Sequence, residues 1–342
     1  MSITGWVLMV LIGLLVAGCK TPSRLPPVPP GGSEATLTSV IKATPTATAL
    51  LKPTWTAEIT TAPAATALPK CTATPRGTTA PTPTPIVAPT LNHPVSSVTP
   101  TAVAARVTLT ILYDNNAYDE RLETAWGFSC LVEGVEKTIL FDTGGEGALL
   151  LRNMQLRGIN PGTVDVVVIS HVHGDHVGGL ASFLRENPAA TVYLPQSFPA
   201  SIKNAVKEAG AGLVEVHESV EICEHVSSTG ELGNGIKEQA LVIETAQGLV
   251  VITGCAHPGV VNIVHHAKEL TGGQVHLVLG GFHLGGASRA MIKGIVEEFQ
   301  RMGVQRVAPC HCSGDAARRL FEEAYGADFI PAGVGSRLLV GD

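Results

Sequence analysis

The sequence predicts an α/β fold in which two sheets pack together with helices outside them. After residue 104, short apolar runs rich in β-branched residues alternate with segments of helical spacing. The alternation has two halves, and each half opens on an antiparallel β pattern before it continues with β/α units. Apolar runs without a polar face are typical of strands that are covered on both sides. Two sheets with outer helices satisfy that requirement.

The first half is predicted to run from strand to helix three times. Strands are expected at 107–113, 127–132, 138–141, 164–169 and 191–194, and helices at 147–158, 177–185 and 200–209. The second half restarts with strands at 240–245 and 249–253 around a hairpin turn at 247–248. It continues with a helix at 260–270, a strand at 274–279, a helix at 288–302, a strand at 305–308 and a helix at 315–325.

Composition divides the chain before this fold begins. Of 23 prolines, 16 lie within residues 20–104, together with 20 threonines, so this segment is predicted to be a disordered spacer. Residues 105–342 remain as one catalytic domain. The spacer carries a formal charge of +4 and the domain −10. A domain this acidic is not expected to bind nucleic acid, which requires clustered Lys and Arg.

The first 19 residues are interpreted as an export signal. Residues 6–18 form an uncharged apolar run of 13 residues, which is short for a membrane span. It ends in Val-Ala-Gly before Cys19, which resembles a bacterial lipobox, although no Lys or Arg precedes the run. Acylated Cys19 would then attach an extracytoplasmic lipoprotein to the cell membrane. An uncleaved anchor is the alternative.

The strongest candidate site follows the apolar strand at 164–169. His171, His173, Asp175 and His176 occur within six residues, directly before a predicted helix. His171, His173 and Asp175 alternate, so in extended chain they share one side. Adjacent Asp175 and His176 must diverge, which places them to serve a second ion. The spacing therefore predicts two neighbouring metal sites of the zinc type.

An HxHxDH motif after an apolar strand resembles the metallo-β-lactamase fold superfamily. The resemblance implies a four-layer αββα sandwich and two divalent ions, with zinc as the first choice and manganese or iron as alternatives. It also implies that Asp142, in the segment 141–144, orients the site from behind. His257 and His311 would be further metal ligands, since 251–257 and 308–312 stand in the places of later motifs.

The superfamily's bridging aspartate has no aspartate counterpart in this chain. Cys255 stands at or near its place, either as a thiolate ligand or as a small buried side chain. His283 also ends an apolar strand and is assigned, with Asp175, to catalysis. It can contact substrate phosphate or donate a proton. Asp114 and the two asparagines that follow it have two interpretations. They form an ordinary turn, or they line the site.

Three segments carry a narrower resemblance, 253–264, 279–284 and 309–314. They resemble the 7,8-dihydropterin-6-yl-methyl-4-(β-D-ribofuranosyl)aminobenzene 5′-phosphate synthase subgroup. That subgroup implies a transferase that joins a dihydropterin pyrophosphate to an aminobenzene ribofuranosyl phosphate. Because one fold hosts many chemistries, the resemblance alone does not assign the substrate.

The expected activity is that of an exported, membrane-anchored hydrolase with two metals. A bridging hydroxide would attack a phosphate ester or related ester of a small molecule. The alternatives are the subgroup's transferase and a non-catalytic surface protein that binds metal or a ligand. The sequence assigns no substrate-binding residue and no oligomeric state.

Overall fold

The computed structural model describes residues 106–341. Its two sheets and flanking helices confirm the predicted fold class. The proposed signal, Cys19 and the spacer lie outside the described residues, and the division at 19 and 104 stays a prediction. Within 106–341, no helix combines the length and the hydropathy that a membrane crossing requires.

The first sheet carries the first half of the domain and closes with the last strand. Its strands lie in the order β13-β1-β2-β3-β4-β5-β6, and the neighbours from β3 to β6 are parallel. The strands are β1 Val107–Tyr113, β2 Ser129–Glu133, β3 Ile139–Phe141, β4 Val166–Val168, β5 Thr191–Pro195, β6 Gly212–Val216 and β13 Arg337–Val340.

The second sheet carries the second half. Its strands lie in the order β12-β11-β10-β9-β8-β7, with β10, β11 and β12 mutually parallel. The strands are β7 Val220–Cys223, β8 Val226–Ser228, β9 Leu241–Thr245, β10 Gly248–Thr253, β11 Val275–Gly281 and β12 Arg306–Cys310.

The helices cover the outer faces of both sheets. They are α1 Gly147–Leu156, α2 Gly174–Val177, α3 Leu180–Glu186, α4 Ala200–Glu208, α5 Val260–Thr271, α6 Arg289–Arg301 and α7 Asp315–Tyr325. Buried residues of α1, α3 and α4 pack on the first sheet, and those of α5, α6 and α7 pack on the second. A third apolar cluster fills the space between the sheets. Alternate residues of one strand therefore face different clusters, as Val250 and Val251 of β10 do.

The structure corrects several predicted elements. Strands β6, β7, β8 and β13 were not expected, because they are short and carry exposed or polar residues at alternate positions. The helix predicted at 177–185 is broken into α2 and α3 at Gly178 and Gly179. A β-carbon at these positions would lie 2.3 Å from the Gly145 carbonyl oxygen and 2.1 Å from that of Thr143. The close backbone contact therefore requires glycine.

Candidate metal centre

The candidate residues follow the carboxyl ends of four strands. His171 to His176 come after β4, Cys255 and His257 after β10, His283 after β11 and His311 at the end of β12. Since β10 to β12 are parallel, their carboxyl ends meet at one edge of the second sheet. The cluster therefore lies where the ends of both sheets meet.

Backbone strain is concentrated in this cluster. Of the non-glycine residues at 106–341, five have positive φ, and four of them, Asp142, Ala256, His283 and His311, follow strands that end at the site. Side chains with a β-carbon rarely adopt this conformation. Such strain persists only where the surrounding structure maintains it, which is frequent at functional sites.

A first group consists of three imidazoles. The Nδ1 atom of His173 lies 3.1 Å from Nε2 of His171 and 3.2 Å from Nε2 of His257. Tetrahedral zinc with Zn–N bonds of about 2.0–2.1 Å holds two ring nitrogens about 3.3 Å apart. Both distances from His173 are close to that value, and the ligand nitrogens of His171 and His257 lie within 4.8 Å of each other. The three imidazoles can therefore hold one zinc-sized ion.

A second group adds a carboxylate. Nε2 of His176 lies 3.2 Å from Nε2 of His311 and 3.7 Å from Oδ2 of Asp175. Oδ2 of Asp175 lies 3.4 Å from Nε2 of His311. Asp175 does not share a side with His171 and His173, as the extended chain would require, because α2 begins at Gly174. The helical turn moves Asp175 to the side of His176.

Cys255 lies between the two groups. Its Sγ atom is 3.2 Å from Nε2 of His176. Its sulfur also lies within 4.8 Å of the ligand atoms of His171 and His257, and equally of those of Asp175 and His311. The thiol therefore has the position of a bridge.

The donor set fits transition metals such as zinc. Imidazole, carboxylate and thiolate are the ligands zinc takes, whereas calcium and magnesium prefer oxygen alone. Burial lowers the pKa of His171, and neighbouring imidazoles lower it further. The ring therefore stays neutral, as a metal ligand must.

Hydrogen bonds behind the site hold three histidines by their Nδ1 atoms. Asp142 accepts from Nδ1 of His176 at 2.7 Å and from the Ser170 hydroxyl at 2.7 Å. That hydroxyl lies 2.9 Å from Nδ1 of His171. Nδ1 of His311 lies 3.0 Å from Oδ1 of Asn115. Each bond leaves Nε2 free to face the site, which is how outer partners orient metal-binding histidines.

Asp142 has the contacts on which its predicted orienting role depends, and the role itself is testable. In Asp142→Asn, a carboxylate that receives three hydrogen bonds becomes an amide. Outer partners typically contribute 10–100-fold to metal affinity, so we expect a loss of about that size. Competition against a zinc chelator measures it. Ser182→Ala, a change to a side chain bonded to Arg185, is the control.

The turn at 114–116 touches the site. Besides the Asn115 bond to His311, Asp114 is fully buried and accepts a hydrogen bond of 3.0 Å from the His311 backbone N–H. Burial raises the pKa of Asp114, and hydrogen bonds from Asn116 oppose the rise. Of the two alternatives in the sequence, lining the site is therefore the one that the contacts favour.

Glu238 is a buried residue that sequence reasoning missed. Its Oε1 atom accepts from the backbone N–H groups of Gly254, Cys255 and Ala256 at 2.8–3.1 Å, and Oε2 accepts from that of His257 at 2.8 Å. One carboxylate therefore shapes the loop that carries Cys255 and His257. The residue precedes β9 in a segment without a recognisable motif, and no sequence signal identifies it.

His283 lies at the rim rather than in either group. Its exposed ring is 4.4 Å from the His257 ring, and its nearest candidate ligands are Cys255 and Cys312. His217 and His225, which precede β9, belong to neither group. His217 pairs with Glu231, and His225 pairs with Glu224. Among the histidines between the HxHxDH turn and β11, His257 is the one whose ring nitrogen lies beside His173 in the first group.

The chain matches one family model and several known proteins. The model of the metallo-β-lactamase superfamily matches residues 127–282. A curated protein of Methanocaldococcus jannaschii, 7,8-dihydropterin-6-methyl-4-(β-D-ribofuranosyl)-aminobenzene-5′-phosphate synthase, is 28% identical over 269 residues, which cover 64% of this chain and 92% of that protein. An uncharacterized protein of the same organism is 30% identical over 60% of this chain and 90% of its own length.

A solved structure supports the same family. A metal-dependent hydrolase of the β-lactamase superfamily is 30% identical, with a TM-score of 0.59 over 69% of this chain and all of its own. The metallo-β-lactamase fold protein YhfI from Bacillus subtilis has a TM-score of 0.52 at 12% identity, which supports the fold alone.

The comparisons support the prediction that this chain is an enzyme, but they correct the predicted hydrolase activity. The prediction of a hydrolase of phosphate esters is wrong, because a curated relative that aligns over nearly its whole length is a synthase. The physical reason is that metal-ligand motifs specify the ions and not the electrophile, and one fold hosts many chemistries. Among the predicted alternatives, the transferase agrees best with this relative. The export and membrane attachment of the chain stay predictions.

Proposed function

This chain belongs to the metallo-β-lactamase superfamily, and from that premise we propose that it is a metal-dependent transferase. It would join a dihydropterin to a ribofuranosylaminobenzene 5′-phosphate. The observation that carries the proposal is the 28% identity with the synthase across 92% of that protein. A relative of this coverage shares the whole domain, not an isolated motif.

The proposed reaction is a substitution at the methyl carbon of the dihydropterin. A bond forms between this carbon and the amino nitrogen of the aminobenzene. The bond from the carbon to the oxygen of a pyrophosphate group breaks, and the pyrophosphate leaves with the electron pair. The amino nitrogen loses one proton. No oxidant or reductant is needed.

Different side chains are proposed to bind the metals and to accept the proton. We propose that His171, His173 and His257 hold one ion and that Asp175, His176 and His311 hold another, with Cys255 between them. When bound, such ions supply Lewis-acid stabilisation of the oxygens of a departing phosphate group. His283, exposed at the rim beside His257, is the imidazole proposed to accept the proton of the amine.

Trp126 is proposed to bind the heterocycle. The indole is 59% exposed, although its ring centroid lies only 4.8 Å from that of His311. A large exposed aromatic ring beside buried ligands can stack on a flat substrate. This feature favours a ring-bearing substrate over a compact ester.

We expect Trp126→Ala to raise the KM for the dihydropterin substrate about 10-fold, which corresponds to a stacking energy of about 1.4 kcal/mol. The kcat should change less, because the proposed role of the indole is to stack on the heterocycle and not to act on the reacting carbon. Steady-state kinetics measure both constants. Tyr118→Ala is the matched control, since Tyr118 is 58% exposed and borders a separate cavity with Arg157 and Gly335. Equal effects of the two changes would remove the stacking role.

The proposed function is tested by incubating the zinc-loaded protein with both substrates. Mass spectrometry should detect the joined product, and pyrophosphate should appear in equal amount. Release of pyrophosphate without the joined product would indicate hydrolysis and contradict the proposal. The protein treated with chelator is the control for a reaction that needs no metal.

The lipid anchor at Cys19 is kept as a separate proposal, supported by the small residues that precede it. Incorporation of labelled fatty acid should occur in the wild type and disappear in Cys19→Ala. A pterin pyrophosphate is not an expected substrate outside the cytoplasm. Fractionation of the cells of origin therefore also bears on the transferase: recovery of the chain in the cytoplasm favours it.

A further inference from the structure

We propose that Cys312, His283 and Cys255 form an additional position for a soft, thiophilic metal ion beside the two imidazole groups. Their ligand atoms all lie within 4.8 Å of one another. Neither the superfamily resemblance nor the relatives' names assign a role to Cys312. The inference does not rest on the transferase proposal, because it concerns metal binding alone.

Cys312 lies close to both partners. Its Sγ atom donates a hydrogen bond of 3.6 Å to the Cys255 carbonyl oxygen, and it lies within 4.8 Å of the Cys255 sulfur. A ring nitrogen of His283 lies within the same distance of the Cys312 sulfur. Two sulfurs and one imidazole therefore converge on a single point.

The end of β11 is shaped to admit this sulfur. A β-carbon at Gly281 would lie 2.7 Å from the Cys312 Sγ atom and 2.4 Å from the Gly254 carbonyl oxygen. Glycine at this position allows the thiol to rest over the end of the strand, beside Cys255. Two residues later, His283 adopts a φ of +54°, a strained conformation that accompanies the placement of its ring near the sulfurs.

The donor set differs in kind from the other two groups. Two thiolates and one imidazole favour zinc or copper(I), whereas carboxylates favour harder ions. Both sulfurs are buried, with 4% and 7% exposure for Cys255 and Cys312, while His283 is exposed. An ion can therefore reach this position from solvent past the exposed His283 ring and bind the two buried sulfurs beneath it.

The other two groups do not need Cys312. The first keeps the nitrogens of His171, His173 and His257, and the second keeps the ligand atoms of Asp175, His176 and His311. Cys255 is shared, which thiolate sulfur permits because it has more than one lone pair. The additional position therefore uses Cys312, which neither group needs. It occupies the His283 imidazole only when an ion is bound there, so in the protein without that ion the imidazole is free for the proposed proton transfer.

Cadmium ions are the probe, because cadmium binds thiolates strongly and shows a sulfur-to-metal absorption band. The metal-free protein is titrated under reducing conditions, and bound metal per chain is measured by plasma mass spectrometry. We expect Cys312→Ser to bind one equivalent less than the wild type and to lose part of the absorption band. Cys223→Ser makes the same chemical change on β7, outside the cluster, and should leave both unchanged.

Equal stoichiometry and equal absorption in Cys312→Ser and the wild type would overturn the proposal. If Cys312→Ser fails to fold, cadmium NMR of the wild type tests it instead. A resonance in the range of ions with two thiolate ligands is expected, and its absence overturns the proposal. Loss of the transferase reaction in the assay above leaves these metal measurements unaffected, so the two proposals can fail separately.

Discussion

Replacing His171 with alanine is expected to lower the proposed transfer activity by more than about 100-fold, beyond the usual effect of losing an outer partner of a metal ligand. The reason is that Nε2 of His171 lies 3.1 Å from Nδ1 of His173, within the first imidazole group. Without it, two nitrogens of that group remain. The rate of product formation and the zinc content per chain measure the effect.

The same variant should stay folded, because the ring packs among other site histidines rather than in an apolar core. Far-ultraviolet circular dichroism should therefore match that of the wild type. His217→Ala is the matched control, since His217 is exposed and bonded to Glu231 away from the site. Full activity with wild-type zinc content in His171→Ala would refute the assigned metal group.

Replacing Glu238 with alanine is expected to lower the free energy of unfolding by at least about 3 kcal/mol, because each buried donor left without an acceptor costs about 1–3 kcal/mol. Four backbone N–H groups lose their acceptor in this variant. The loop that carries Cys255 and His257 should also loosen, so zinc affinity falls with stability. Denaturant unfolding and chelator competition measure the two effects.

The variant Glu238→Gln distinguishes the effect of the hydrogen-bond acceptor at this position from the effect of its negative charge. The glutamine oxygen can still accept from Gly254, Cys255 and Ala256, so the loss of stability should be smaller than in the alanine variant. Glu231→Ala is the matched control: Glu231 accepts one backbone N–H, that of Ser197, at 2.6 Å. A loss in Glu238→Ala no larger than in Glu231→Ala would show that the loop does not depend on this carboxylate.

The sequence predicted the fold and the gathering of the candidate ligands because both depend on local pattern. Unbroken apolar runs predicted the parallel strands of both sheets. Because parallel strands end at the same edge of a sheet, the polar residues that follow them were expected to lie close together. The alternation of His171, His173 and Asp175 assumed extended chain, but helix α2 begins at Gly174 and moves Asp175 away from the other two. The pairing of Asp175 with His176 for a second ion, which the spacing also predicted, agrees with the 3.7 Å between Asp175 Oδ2 and His176 Nε2.

Other features depend on contacts between distant segments and leave no local pattern. Glu238 reaches a loop 16 to 19 residues further along the chain. The sulfurs of Cys255 and Cys312 lie within 4.8 Å of each other although the two residues are 57 positions apart. The activity was predicted wrongly for a related reason. Ligand spacing constrains the metals, while the substrate depends on the side chains around them, among which we propose Trp126.

The most direct test of the metal centre is the zinc content of the wild-type protein, measured by plasma mass spectrometry after loading and exhaustive dialysis. The two groups of side chains predict at least about two equivalents per chain. His171→Ala, measured in parallel, should retain about one equivalent less. A folded wild-type sample that retains no zinc and takes up no added metal would contradict the account.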